Sequence, residues 1–215
     1  MVHVHLLDAA GHLEEFRSEI LEETDQTIAR VCNLIPVKQV DVLIIENPSW
    51  TIPEIGLGGL SPNAHFVQVS LDPNHPDFRQ NLKRELPPLL AHELHHALRW
   101  HNPGPGETLL TALVMEGLAQ AFEIPFRNGQ PPTYAILKNP SQMNELIELA
   151  RLEFDKPYDH DVWFFGKEAS RIPTWAGYAL GFEIVQRYLE KANTTAGNAY
   201  AVTAKTVLET LGDLT

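Results

Sequence analysis

The chain has 215 residues, 44% of them hydrophobic and 20% charged, with a formal net charge of −12 and a pI near 5.2. That length can bury a sizeable core in one domain, or in two lobes around one cleft. The acidity argues against nucleic acid or an anionic membrane surface as the main partner. With a single cysteine, Cys32, no intrachain disulfide can form, and no basic residue precedes Arg17. Neither a signal peptide nor a membrane span is expected, Glu116 keeping the longest apolar stretch below membrane length, and the expected location is cytoplasmic.

In chain order, Val2, Val4 and Leu6 alternate over residues 2 to 8 and predict a first strand. Residues 12 to 34 pattern as a Glu-rich amphipathic helix, and Val40 to Ile45 as a short buried strand. Glycines at 56, 58 and 59 precede a strand over 65 to 71. They make no nucleotide cradle, because Ser61 holds the last place of G-x-G-x-x-G. The segment reads instead as an edge on which an extended peptide can pair. Asp77 to Glu85 predicts one helix, and Pro87-Pro88 the first turn of a second over about 88 to 101. Asn102-Pro103-Gly104-Pro105-Gly106 closes it. A helix over about 109 to 122 follows, and beyond the turn at Gly129-Gln130-Pro131-Pro132 come helices over 141 to 153, 174 to 192 and 199 to 211. Trp163-Phe164-Phe165 reads as core, with a cleft wall as the alternative. Strands first and helices later predict an α+β domain over residues 1–215, with a small N-terminal mixed sheet in a lobe of about 1–102 and a mostly helical lobe of about 103–215.

His92-Glu93-Leu94-His95-His96 reads H-E-x-x-H. About 0.04 chance occurrences of that pattern are expected in a chain of this composition. On a helix, positions four apart lie roughly 40° from each other and one turn along the axis, so His92 and His96 can offer two imidazole nitrogens to one tetrahedral zinc. Glu93 lies beside the pair, placed to take a proton from water rather than to bind the metal. His95 diverges from His96 by about 100° and reads as a supporting or solvent residue.

A catalytic zinc site takes three protein ligands and leaves one position open. The long H-E-x-x-H-x-x-G-x-x-H pattern fails, since Arg99 and Asn102 stand where Gly and His are needed, and no Asp occurs between Asp77 and Asp155. Glu116 fits, because a carboxylate in the apolar stretch Leu109 to Phe122 is costly unless paired or metal-bound. Glu123, on the same face, is the fallback ligand. His3 and His5 share a strand face without completing a metal set, and no G-x-S-x-G element is present.

At these residues the chain resembles the glutamate-ligand zincins, of which thermolysin is the best known. The blocks Ala91 to Trp100, Met115 to Ala119 and Ala176-Gly177-Tyr178-Ala179-Leu180-Gly181 resemble the bacterial family of predicted zinc-dependent proteases typified by YjaZ. The resemblance implies a zincin-like fold, a zinc ion held by His92, His96 and Glu116, Glu93 as general base, a peptide or protein substrate, and an oxyanion donor at Tyr178 with His160 as second choice. Where thermolysin has an Asp four residues after its glutamate ligand, this chain has Gln120, an uncharged partner for an imidazole. A non-catalytic binding or sensor module, and a small-molecule amidase or esterase with the same centre, are the alternative readings.

Overall fold

The computed structural model describes residues 1–167 and 171–212. The chain divides into two compact units, Met1–His101 with Pro125–Gly129, and Asn102–Ile124 with Gln130–Thr215.

The first unit carries β1 (Val2–Leu7), β2 (Val40–Glu46), β3 (Leu57–Asn63) and β4 (Phe66–Leu71) in one sheet of order β1-β2-β4-β3. β1, β2 and β4 run parallel, while β3 pairs antiparallel with β4 along the edge. Register follows the apolar alternation: Val4 lies opposite Val42 and Val42 opposite Val67, then Leu6 opposite Ile44 and Ile44 opposite Val69. A one-residue slip would turn this inward set to the other face. A parallel β1–β2 pair needs a crossover, and α1 (Arg17–Leu34) supplies it, burying Ile20, Thr24, Thr27 and Val31 on one stripe.

β3 differs from the expectation of a glycine-rich lead-in to a single strand. Gly58, Gly59 and Pro62 have poor strand propensity, but pairing with β4 overrides it. The ladder shifts register between Leu60 and Asn63, at Pro62, which has no N–H to donate. Asn63 Oδ1 then accepts from His65 N at 2.9 Å and closes the hairpin.

The two helices expected over 77 to 85 and 88 to 101 are one, α2 (Phe78–His101), with Pro87 and Pro88 inside it. Leu82, Leu86, Leu90 and Leu94 explain the continuity: all are fully buried at helical four-residue spacing, so one apolar stripe runs through the prolines. Burying such side chains contributes roughly 1.5–3 kcal/mol each, against roughly 3 kcal/mol for an interior proline. α2 packs on α1, β3 and β4. Residues 125–129 join this unit through Arg127, whose Nη1 lies 2.6 Å from Glu85 Oε2, and through Arg30, whose guanidinium sits 4.4 Å from the Phe126 ring centroid.

In the second unit, α3 (Leu109–Glu123), α4 (Met143–Arg151), α5 (Ala176–Lys191) and α6 (Ala204–Leu211) form a helical cluster with no named strand among the described residues. Thr108 caps α3 by accepting from Thr111 N. A β-carbon on Gly117 would collide with the Gly181 carbonyl, and one on Gly181 with the Leu113 carbonyl. The backbones of α3 and α5 therefore touch where Met-Glu-Gly meets Ala-Gly-Tyr-Ala-Leu-Gly, and these small residues serve packing. α6 starts at Ala204 rather than 199, because the Thr203 side chain accepts from Thr206 N at 3.1 Å and sets the first turn there. By length and composition Leu109–Arg127 is long and apolar enough to cross a membrane, contrary to expectation, but most of it is buried inside the protein as a core helix would be. The architecture is compatible with the expected α+β class: a mixed four-stranded sheet with α1 crossing between β1 and β2, and the remaining α-helices after β4.

Candidate metal centre

α2 carries His92, Glu93, His95 and His96 in its buried stretch, and none of the four is more than 7% exposed. The i,i+4 spacing brings the Nε2 atoms of His92 and His96 to 2.9 Å, with ring centroids 4.6 Å apart at 81°. Tetrahedral ligation with bonds of roughly 2.0–2.1 Å asks for nitrogens about 3.3 Å apart, so the pair needs to open by only a few tenths of an ångström. His95 is fully buried, which removes the solvent reading of its place on the helix.

Glu93 meets β3. A β-carbon at Gly59 would lie 2.6 Å from Glu93 Oε1, so the bare edge-strand backbone passes against the carboxylate. The neighbouring glycines serve the same strand entry: Gly56 has φ 68°, and Gly58 lies against the Trp50 carbonyl. Their purpose is close approach, as the failed nucleotide motif left open. Trp100 Nε1 donates to Ser61 O at 2.9 Å and ties the end of α2 to β3.

In the second unit Glu116 is partly buried on α3, two turns from the Thr108 cap. Gln120, one turn further, is fully buried, and neither of its amide atoms has a hydrogen-bond partner among the described residues. Glu123 is fully buried and accepts from the Tyr134 hydroxyl at 2.8 Å. It lies about 10 Å along the axis from Glu116, so the two carboxylates serve different places. Tyr178, on α5, packs edge-on to Tyr134 and Phe164 with centroids at 5.3 and 4.9 Å. His160 is exposed and stacks on Phe164 at 4.5 Å and 15°.

Tyr158 is the residue the sequence did not single out. Its pKa is raised by partial burial and then by the negative charge of Glu116, which puts the phenol within that carboxylate's field. Arg99, in the last turn of α2, is almost fully buried, and desolvation lowers its pKa to about 10. Nothing local in the sequence marks either one.

The family model described as "Predicted Zn-dependent protease (DUF2268)" matches residues 20–209. The chain belongs to that family. Among curated proteins it is similar to "Uncharacterized protein YjfC" of Bacillus subtilis (strain 168), 26% identical over 191 residues that cover 79% of this chain and 60% of YjfC. It is similar also to "Uncharacterized protein YjaZ" of the same organism, 30% identical over 131 residues that cover 57% of this chain and 49% of YjaZ. The aligned part thus spans less than two thirds of either relative. No solved structure matches. The resemblance to YjaZ carried by the three sequence blocks is a family relationship, and the family's description names zinc. For a member of this family, His92, His96 and Glu116 are a donor set of two imidazoles and one carboxylate. That composition suits a catalytic zinc, which takes three protein ligands and leaves a fourth position for water or substrate.

Proposed function

We propose that the chain is a zinc-dependent hydrolase of zincin type that cleaves peptide bonds, with His92, His96 and Glu116 as the zinc ligands and Glu93 as general base. One observation carries the reading: two imidazole nitrogens converge at 2.9 Å on a buried helix that also carries the Glu93 carboxylate next to His92. A zinc held only for structure, or for sensing, has no use for that carboxylate.

When bound, zinc supplies Lewis acidity, lowering the pKa of water toward 7 and polarising a carbonyl. Glu93 takes a proton from the attacking water as its oxygen bonds to the carbonyl carbon. As the C–N bond breaks, the same carboxyl passes that proton to the departing nitrogen, leaving a carboxylate and an amine. β3 supports a peptide as substrate: it is an edge strand, antiparallel to β4, and its glycine backbone passes against Glu93. An extended peptide added to that edge by backbone hydrogen bonds would run beside the base with little demand on side-chain identity. The mixed sheet with its antiparallel edge, followed by the motif helix, supports the zincin-like description.

The test joins metal analysis to a peptide-library digestion. Wild type and Glu93→Gln should each carry about one zinc per chain, and the variant should lose roughly 10²- to 10⁴-fold in turnover. Ala at His92, His96 or Glu116 should empty the centre, whereas Glu123→Ala should not. Equal hydrolysis by wild type and Glu93→Gln, or a centre emptied by Glu123→Ala alone, sinks the assignment.

A further inference from the structure

The two edges of the sheet are built differently. Along β3, Pro62 and the register shift between Leu60 and Asn63 shorten the regular edge. β1, at the other edge, has no such device: Val2–Leu7 pairs with β2 in unbroken register and contains no Pro, Gly, Lys or Arg. It also precedes residues 20–209, the part that matches the family, so the family description does not account for it.

Backbone direction fixes what this edge offers. Met1 O accepts from Val40 N at 3.3 Å. Alternation along a parallel ladder then turns the N–H and C=O of His3 and His5 toward β2, and those of Val2, Val4 and Leu6 outward. Among the described residues no hydrogen bond reaches these outward groups. Their side chains continue the apolar rows of β2, since Val4 lies opposite Val42 and Leu6 opposite Ile44. Val42 and Ile44 are fully buried, whereas Val2, Val4 and Leu6 are only half-buried, so the rows end partly uncovered.

The sequence of β1 is its own antiparallel complement. On either side of Val4 comes a histidine and then an aliphatic residue, His3 and Val2 one way, His5 and Leu6 the other. A contact about a two-fold axis needs this property, because residue i meets j and j meets i. With the axis at Val4, Val4 faces the partner's Val4 and Val2 faces the partner's Leu6, and each facing pair exchanges both of its outward N–H···O bonds. His3 faces the partner's His5 at the position between, where Cα atoms approach to about 4.5 Å. Charge permits the approach: the chain carries a net −12, yet residues 2–7 contain no Asp, Glu, Lys or Arg. A foreign peptide would need neither the symmetry nor the uncharged strip.

We propose that β1 is a homodimer interface, through which two copies of the chain join antiparallel into one continuous sheet with β3 at each outer end. The inference is independent of the hydrolase reading, since β3 stays open in both copies. A seam of this length falls below the roughly 1,200 Å² of a standard interface, so the dissociation constant should lie in the micromolar range.

Sedimentation equilibrium of the full chain from about 5 to 200 μM should show reversible exchange between monomer and dimer. Val4→Pro removes the central outward N–H, a change that an edge strand tolerates, and should leave monomer over the same range with its melting transition intact. Cross-linking gives a second readout. In a Cys32→Ser background, His3→Cys together with His5→Cys should form a disulfide-linked dimer on mild oxidation, because the facing positions fall within disulfide range. His3→Cys alone should link far less, its counterpart being two residues out of register. A wild-type monomer throughout, a Val4→Pro dimer as strong as the wild type's, or equal linking by His3→Cys alone overturns the inference. If Val4→Pro fails to fold, the cysteine pair decides: a double variant that stays monomeric on oxidation overturns it.

Discussion

Gly59 and Glu93 are in contact across the first unit: the strand residue has no side chain where the helix residue's carboxylate lies, and a β-carbon there would come within 2.6 Å of Oε1 and 2.7 Å of Cγ. Only the flexible Glu93 side chain can yield, since the β3 backbone is held by β4. Gly59→Ala should therefore move the base without disturbing the metal ligands. A displacement near 1 Å costs on the order of 10²-fold in rate. The alanine also restricts the unfolded chain, worth roughly 0.4–1 kcal/mol in favour of the fold, but the clash reaches Glu93 Cγ as well as its carboxylate, and overpacking of this kind costs roughly 1–3 kcal/mol, so thermal stability should fall slightly along with activity. Steady-state kinetics with zinc analysis and a melting curve checks this, and wild-type kcat would show that Glu93 does not act from its observed position.

The turn that follows Tyr158 has a titratable anchor. Asp159 accepts from Val162 N at 3.3 Å and lies 3.5 Å from Lys167 Nζ. The Val162 N–H, against an opposing desolvation and with help from Lys167 and the Asp161 N–H, holds its pKa below the ordinary aspartate value. A depressed folded-state pKa means that the native chain binds fewer protons than the unfolded one near that value. The contribution to stability is then present above about pH 3.9 and is lost as pH falls through the lower folded value. Asp159→Asn should lower Tm slightly at neutral pH, and the gap to wild type should narrow as pH drops below about 3.9. A carboxyl-detected NMR titration gives the direct check: an Asp159 midpoint at or above the ordinary value contradicts the hydrogen bond.

The motif helix was legible because H-E-x-x-H is contiguous and helical geometry alone converts its spacing into a converging pair of nitrogens. Glu116 stood out in the sequence for a different reason, a charge in an otherwise apolar helix, and its ligand role belongs to the proposal. β3 was not, since glycine and proline suppress strand propensity and only pairing with β4 makes the strand. The continuity of α2 was hidden by Pro87-Pro88, which locally signal a helix start and whose override depends on a buried leucine stripe. The Ala-Gly-Tyr-Ala-Leu-Gly block drew attention to Tyr178 through family resemblance, but its glycines answer to the α3–α5 crossing. Tyr158 left no trace: the backbone bonds that hold Phe154–Lys156 to the start of α3 just before it are tertiary and carry no sequence pattern.

Gln120 exposes a tension between stability and metal binding. It is fully buried one turn beyond Glu116, and both amide atoms lack hydrogen-bond partners among the described residues. Each such group costs roughly 1–3 kcal/mol, a cost that a methionine of similar length does not carry. Gln120→Met should thus raise the Tm of the metal-free protein by several degrees. If the amide's purpose is to orient a ligand once zinc is bound, the same change should weaken zinc affinity by about 10- to 100-fold, the usual effect of losing a ligand's supporting hydrogen bond. We expect both shifts together, measured by melting the metal-free protein and by competitive zinc titration. A stabilised variant with unchanged zinc affinity would remove Gln120 from the centre, and a destabilised one would mean that the amide is satisfied in solution after all.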